Sequence, residues 1–321
     1  MPPASFICYN DPALAARSVS SGLIPGPARR RPVPLAAIAD LSSTAKATSS
    51  RSAHGSPMEL VSLSHKPSEE PDSQPISARL AAAASRRADL ELLLAAAPPD
   101  ASQDQFRRLV LEQNVAGKGS AVSREKLWAQ LRLRYVLDRS IPECAAFLSA
   151  MASASSPTER GLLCLLMMAR TDRLLREMTL RSVGPLLTKD GVLIPTGQLQ
   201  SDLDSYLKEN GLEWSPDTLE HVRQHLMASL KDCGVLQGSR TKRTVRPRPG
   251  VQFTLLAARF GLSEGLTPRQ LLDARWFRLL GLGTEQAADL LYAAARGGVL
   301  EFRMQAEVVE LRLPGTGGES P

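Results

Sequence analysis

The sequence predicts a mainly α fold: a helical bundle with a helix-turn-helix-like element, then a C-terminal winged-helix-like domain ending in a two-stranded β-hairpin. Three observations lead to this fold class. From residue 76 onward apolar residues recur with a helical period, the helix ends carry capping residues, and the period changes to two at the end of the chain. We expect a helical domain at 76–212 and a winged-helix-like domain at 213–313, flanked by disordered tails at 1–75 and 314–321.

The first 75 residues differ in composition from the rest. Ser, Pro and Ala dominate, and neither a helical nor a strand period is sustained. We expect disorder here. Three further interpretations stay open: an organellar transit peptide, since residues 1–57 are rich in Arg and Ser and poor in acids; a basic nucleic-acid-binding arm built on Arg29, Arg30 and Arg31; and a true start at Met58.

Three helices are predicted at the start of the ordered region. They cover Leu80–Ala97, which precedes two prolines, Ser102–Asn114 and Ser120–Asp138. The second and third are separated by V-A-G-K-G, and two helices around a glycine turn have the shape of a helix-turn-helix. The third helix presents an apolar stripe made of Leu127, Trp128, Leu131 and Tyr135.

Basic residues accompany that stripe. Lys118 lies in the turn, Lys126 projects from the opposite face of the helix, and Arg132 and Arg134 flank the stripe. From such positions a recognition helix contacts phosphates or base edges. An ordinary helical hairpin with a solvated basic face would carry the same pattern, so both interpretations remain open.

The middle of the chain is predicted to supply the core. Residues 161–169 are too apolar for a surface and predict a central buried helix, in which the methionines fill space. The helical pattern breaks over 183–195, and another helix runs from 196 to about 210. A domain boundary, or at least a change of layer, is therefore expected around 211–214.

The helix after Trp214 has well-defined ends. Ser215 is an N-cap, Pro216 occupies the first helical position and Gly234 provides a left-handed stop. The segment that follows carries five cations and no acid. They are Arg240, Lys242, Arg243, Arg246 and Arg248. A cationic segment fixed at one end by a rigid helix favours a polyanionic partner.

The chain ends in a helix and two strands. Thr284 is predicted to cap a helix that ends at Arg296, before Gly297-Gly298. Apolar and charged residues then alternate on both sides of Gln305-Ala306, which predicts a hairpin. A helix that leads into a two-stranded ribbon is typical of a winged-helix domain, although a generic α+β tail would have the same pattern. The charges of this hairpin are balanced.

The patterns for catalysis and for cofactor or metal binding are weak, although His221 and His225 on one helix could bind a metal. His221 and His225 are four apart but lack the Glu of H-E-x-x-H, and the G-K-G-S and G-L-G-T turns lack full phosphate-loop spacing. The four cysteines form no C-x-x-C pair, and the longest apolar run is too short to span a membrane. We expect a cytoplasmic protein with no enzymatic activity, no cofactor, no metal and no membrane association.

Several segments together resemble the BrxA family of bacteriophage-exclusion (BREX) systems. The resemblance spans residues 76–313 and rests on E-Q-N-V-A-G-K-G-S-A-V-S-R-E-K-L-W-A-Q-L-R-L-R-Y, L-L-M-M-A-R-T-D-R-L-L-R-E-M, T-L-E-H-V-R-Q-H-L-M-A-S-L-K-D-C-G-V-L, W-F-R-L-L-G-L and L-L-Y-A-A-A-R-G-G-V-L-E-F-R. It implies a non-catalytic, mostly helical protein that binds double-stranded DNA in phage defence. It also implies a basic helix-turn-helix region composed of Asn114, Lys118, Ser120, Arg124, Arg132 and Arg134. The tail before Ile76 has no counterpart in compact members of the family.

The predicted function is therefore a DNA-binding accessory role in a BREX-type system. The partners are double-stranded DNA and other BREX components. A formal charge of +6 and an isoelectric point near 9.3 agree with a nucleic-acid partner. The alternatives are an assembly scaffold and an RNA-binding regulator, each with an incidental basic face.

Overall fold

The computed structural model describes residues 74–314 and is mainly helical, with a small two-stranded antiparallel hairpin at its C-terminal end. Both predicted tails lie almost wholly outside these residues. The predicted domains at 76–212 and 213–313 stay a prediction, although helices from the two ranges pack against each other in the core. The first helices are α1 (Arg79–Ala82), α2 (Arg87–Ala96), α3 (Gln103–Leu111) and α4 (Ala121–Tyr135).

The prediction of a single helix over Leu80–Ala97 is wrong, because the helical conformation is interrupted between α1 and α2. Arg86 takes the left-handed conformation, with φ of 57°. The interruption exposes carbonyls that accept hydrogen bonds from α4: the Arg134 guanidinium donates to Ala83 O at 2.5 Å and the Tyr135 hydroxyl donates to Ser85 O at 2.7 Å. These contacts from a distant part of the sequence satisfy the backbone groups that a continuous helix would have paired.

The helical hairpin α3–α4 forms close to its predicted position. Ser102 caps α3 in a capping box with Gln105, and Ser120 caps α4. Helix α4 ends earlier than expected, at Tyr135, because the next two residues adopt positive φ angles of 64° and 56°. The connection spans residues 112–120, which is longer than the turn of three or four residues usual in a helix-turn-helix.

Helix α6 is the central helix. It follows α5 (Pro142–Ser153), runs over Pro157–Thr171, and every residue from Gly161 to Ala169 is buried, as predicted. After it come α7 (Arg173–Met178), a π-helical turn (Thr179–Val183) and a 3₁₀ turn (Gly184–Thr188). Gly184 is needed here, because a Cβ at this position would lie 2.9 Å from the carbonyl oxygen of Arg278.

Two helices precede the cationic segment: α8 (Thr196–Glu209) and α9 (Pro216–Asp232). The predicted ends of α9 are confirmed, since Ser215 accepts a hydrogen bond from Thr218 N and Gly234 has φ of 83°. The cationic segment then forms a hairpin that the sequence did not predict, from β1 (Leu236–Gln237) and β2 (Arg243–Thr244). The other edge of β2 pairs with residues 192–194.

The remaining elements lead to the C-terminal hairpin. They are α10 (Val251–Ser263), α11 (Pro268–Leu271), α12 (Arg275–Arg278), α13 (Thr284–Arg296), β3 (Glu301–Gln305) and β4 (Val308–Arg312). The helix and hairpin are confirmed with small shifts. Gly283, not Thr284, is the N-cap of α13, and the turn lies at Ala306-Glu307, where Ala306 has φ of 51°.

Candidate nucleic-acid interface

The basic hairpin segment, which we define as residues 236–248, presents three exposed guanidiniums that could meet a partner. They belong to Arg240, Arg246 and Arg248. Within the described residues none of the three forms an ion pair, although the backbone N–H of Arg246 donates to Asp190 Oδ1 at 2.6 Å. Their positive charge is therefore available to a polyanion.

The other two cations of this segment hold its shape. The Lys242 ammonium donates to Gly238 O at 3.0 Å and also to Ser239 O, across the hairpin turn. Arg243 donates to Gly191 O at 2.8 Å and so ties β2 to the neighbouring strand-like segment. Both side chains already donate hydrogen bonds to backbone carbonyls. They are therefore weaker candidates for direct contact with a partner.

Both ends of the segment are fixed. Helix α9 precedes it directly, and the Val235 carbonyl accepts from Val245 N at 2.9 Å. At the other end, Glu159 of α6 accepts from Gln252 N at 2.8 Å and caps the N-terminus of α10. Glu159 is only 4% exposed, so this contact joins α6 to α10 inside the protein. The exposed arginines therefore lie on a segment that is connected to packed helices at both ends.

A second basic surface lies on the α3–α4 hairpin. Lys126 and Arg132 are exposed on α4, as the sequence predicted, and neither forms an ion pair within residues 74–314. Arg124 is half-buried, and its Nε has no hydrogen-bond partner among the described residues. Sequence reasoning missed two neighbours, Arg107 and Arg108, which are exposed on α3. The burial of Phe106, Leu109 and Val110 in the same helix is the periodic signal that would have indicated them.

The remaining predicted residues of this region have structural contacts. Lys118 forms an ion pair with Asp89 at 2.7 Å, and its backbone N–H donates to Asn114 Oδ1 at 2.7 Å. Ser120 caps α4. Arg134 is 6% exposed and donates to Ala83 O, and burial lowers the pKa of its guanidinium. Because the Arg134 side chain is buried, it cannot contact a partner and is not part of the candidate interface.

Helix α9 itself is not basic on its outer face. Asp217 is exposed, and Glu220 accepts hydrogen bonds from Arg223 at 2.5 and 2.6 Å. The opposite face is buried, with Val222, Leu226 and Leu230 in the core. In this part of the protein, attraction to a polyanion must therefore come from the hairpin that follows α9 and not from α9 itself.

His225 and the cysteines of the described residues are engaged or buried, whereas His221 is exposed. His225 Nδ1 lies 2.7 Å from Leu80 O, and no cluster of three metal-ligating side chains occurs in the described part of the chain. Burial raises the pKa of the Cys144 thiol to about 11 and that of Cys164 to about 12, so neither is a thiolate near neutral pH. Among the described residues, no helix combines the length and apolarity needed to cross a bilayer.

The comparison with known families decides the assignment of the chain. The model of the BrxA family matches residues 75–255, more than half of the sequence. The chain belongs to the BrxA family. It is thus a BREX-associated protein, and the resemblance noted in the sequence is confirmed. The family match includes both basic surfaces and ends before the C-terminal hairpin. No curated protein matches the chain.

Proposed function

We propose that this BrxA-family protein is a non-catalytic accessory factor that binds double-stranded DNA through the basic hairpin segment. The observation that carries the proposal is the set of three exposed guanidiniums, Arg240, Arg246 and Arg248, without ion pairs within residues 74–314 and on a segment fixed at both ends. Arginine on a rigid support contacts phosphate oxygens with little loss of side-chain freedom.

The surrounding elements support a winged-helix mode of binding. Helix α9, the segment 192–194 and the β1–β2 hairpin provide a helix, a strand and a ribbon. In this mode the ribbon lies along the phosphate backbone beside the groove that accepts the helix. Because α9 carries acids on its outer face, we propose that phosphate contacts dominate and that sequence preference is slight.

The α3–α4 surface is the second element of the proposal. Lys126 and Arg132 on α4 would add phosphate contacts, and Arg107 and Arg108 are further exposed cations on α3. Removing Lys126 and Arg132 should weaken binding less than removing the three hairpin arginines, because two cations are removed instead of three. We propose DNA and other BREX components as the partners, in the cytoplasm.

Fluorescence anisotropy with a labelled duplex, the matching single strand and a structured RNA tests the proposal. We expect the duplex to bind within or below the general nonspecific range of about 10⁻⁴ to 10⁻⁶ M at physiological salt, and more tightly than the single strand or the RNA. Replacing Arg240, Arg246 and Arg248 by Ala should weaken binding to all duplexes alike. Tighter binding of RNA would favour the RNA-regulator alternative, and no binding of any nucleic acid would favour the scaffold.

The non-catalytic part of the proposal has its own test. We expect the purified protein to hydrolyse neither ATP nor DNA and to contain no stoichiometric zinc. Metal analysis that found one zinc per chain, absent from the His221→Ala/His225→Ala variant, would contradict this expectation.

A further inference from the structure

An open cleft of about 570 Å³ lies apart from both basic surfaces, between α7, the π-helical turn, the end of α8 and the start of α12. Three arginines line it: Arg173 on α7, Arg181 on the π-helical turn and Arg275 on α12. Two carboxylates, of Glu177 and Glu209, face them. Arg275 pairs with Glu264 at 3.8 Å. Arg181 pairs with Glu209 at 2.8 Å and with Glu177 at 4.0 Å. The positive charge that is not balanced by an ion pair within the described residues is therefore that of Arg173. A π-helical turn is rare in proteins and is often found at functional sites.

The floor of the cleft includes a buried hydroxyl whose proton has no acceptor. Tyr206 is 2% exposed, and its hydroxyl donates to no acceptor within the described residues; the Arg173 guanidinium, which can only donate, is close to its oxygen. Most buried polar groups are paired, because burying an unpaired hydroxyl costs free energy. Burial raises the pKa of Tyr206, and the nearby Arg173 lowers it in part. The group is thus a neutral phenol that can donate a hydrogen bond close to a guanidinium.

Arg173 lacks an anionic partner in the described part of the chain. Its guanidinium donates to Gln74 O at 3.4 Å and to Asn210 Oδ1 at 3.5 Å, and both acceptors are neutral. These distances lie at the long end of the hydrogen-bond range. A guanidinium prefers two short, parallel bonds to an oxyanion. Arg173 and the Tyr206 hydroxyl together form a donor pair that an added oxyanion would satisfy better than the protein itself does.

Arg181 covers this donor pair from the solvent side. Its guanidinium carbon lies 4.7 Å from the centroid of the Tyr206 ring, and its nitrogen pairs with Glu209 at 2.8 Å. The side chain is 41% exposed, and an exposed ion pair contributes little to stability. Arg181 is therefore placed over the Tyr206 ring by exposed contacts, and its guanidinium is close enough to add a further donor to a ligand at Tyr206.

We propose that this cleft binds a phosphate group, held by Arg173 and the Tyr206 hydroxyl and covered by Arg181. A phosphate has several terminal oxygens, so it can accept from the guanidinium and the phenol together, and its negative charge matches the unbalanced charge of Arg173. The same chemistry is offered by a free phosphomonoester and by a DNA backbone phosphate. The site does not depend on DNA binding by the basic hairpin segment.

Isothermal titration calorimetry with inorganic phosphate, AMP and adenosine tests the site. We expect phosphate and AMP to bind and adenosine not to bind. Arg173→Gln should weaken AMP binding by about 10-fold or more, and Tyr206→Phe by about 3- to 10-fold, since each removes a hydrogen bond to a charged ligand. Tyr292→Phe is the matched control, because that hydroxyl donates to Met304 O in the C-terminal hairpin.

The stability of Tyr206→Phe separates a binding role from a structural one. Because the phenol proton has no acceptor in the ligand-free protein, removal of the hydroxyl should leave the melting temperature unchanged or raise it. Loss of AMP binding together with unchanged stability supports the proposal. Absence of phosphate binding by the parent, or equal AMP affinity in the parent and Arg173→Gln, overturns it.

Duplex DNA distinguishes the two sources of the phosphate. If Arg173→Gln loses AMP binding and keeps the duplex affinity of the parent, the ligand is a free phosphomonoester. If AMP competes with the duplex and Arg173→Gln weakens both, a backbone phosphate occupies the cleft. Either result supports a phosphate site, and failure of the basic hairpin segment to bind DNA would leave the AMP titration unaffected.

Discussion

Two parts of this molecule have the same local plan and different charge patterns. Helix α9 ends near Gly234 and leads into the β1–β2 hairpin, and α13 ends near Gly298 and leads into the β3–β4 hairpin. Both glycines have the left-handed φ that ends a helix. The backbone arrangement alone therefore cannot indicate which hairpin binds a polyanion.

The charges separate the two hairpins. In the C-terminal hairpin Arg312 lies 3.9 Å from Glu301, Arg303 is paired in register with Glu310, and Glu307 forms an ion pair with Arg269 at 2.8 Å. The first hairpin has no acid between Gln237 and Arg248. We infer that DNA affinity resides in the first hairpin, because affinity for DNA comes mainly from neutralising phosphates.

Helix α10, which lies between the two hairpins in the chain, is joined to the central helix α6 through a buried carboxylate at each end. Glu159 caps α10 directly after the basic hairpin segment, whereas Glu264 pairs with Arg170 of α6 at 3.0 Å and accepts from the Trp276 indole at 3.2 Å. The Glu159 contact fixes the basic hairpin segment, which we expect to bind DNA. The Glu264 contact stabilises the part of the protein that we expect not to bind DNA.

The largest effect on stability is expected for Glu159→Ala. The change removes a helix cap and leaves buried N–H groups without an acceptor, so the free energy of unfolding should fall by about 2–3 kcal/mol. Urea denaturation measures it, with the exposed Glu213→Ala as control. The folded variant should also bind duplex DNA more weakly, because one end of the basic hairpin segment is released. Wild-type stability and affinity would contradict the anchoring role.

The next effect contrasts two neighbouring arginines of α4. Arg134→Ala should lower the free energy of unfolding by about 1.5–3 kcal/mol, because the change removes a buried charged hydrogen bond. Arg132→Ala should change it by less than about 0.5 kcal/mol, as is usual for an exposed position. The relative size of the two effects should reverse for DNA binding, because only Arg132→Ala is expected to reduce the salt dependence of duplex affinity. Equal stability losses would show that Arg134 is not held in the interior as described.

The smallest effect concerns Glu264 and pH. Burial raises the pKa of Glu264 in the folded protein, so its contribution to stability is fully present below the unfolded value of about 4.3 and is lost as pH rises through the folded pKa. The stability of the parent relative to Glu264→Gln should therefore decline from acid pH toward neutrality. Urea denaturation at several pH values measures it, and a difference that grows with pH would contradict the direction of the shift.

Local signals explain what could be predicted from the sequence. The ends of α9 follow from Ser215, Pro216 and Gly234, and the final hairpin follows from its alternation after two glycines. The interruption between α1 and α2 could not be predicted, because its carbonyls are satisfied by Arg134 and Tyr135, about 50 residues away.

The candidate sites, too, include parts that the sequence could predict and parts that it could not. Exposure of Lys126 and Arg132 follows from helical periodicity, as does exposure of Arg107 and Arg108. The β1–β2 hairpin could not be predicted, because its strands are two residues long and one of them pairs with 192–194. The cleft at Tyr206 brings together elements that no local pattern connects.

The salt dependence of duplex affinity tests the central comparison most directly. Two matched triple variants are compared with the parent: Arg240, Arg246 and Arg248 to Ala in the first hairpin, and Arg296, Arg303 and Arg312 to Ala in the C-terminal region. The first should lower the magnitude of the log–log salt slope by up to about 3, or about 1 for each phosphate that is no longer neutralised, and the second should leave the slope unchanged. Equal slopes for both variants and the parent would contradict the assignment of DNA binding to the basic hairpin segment.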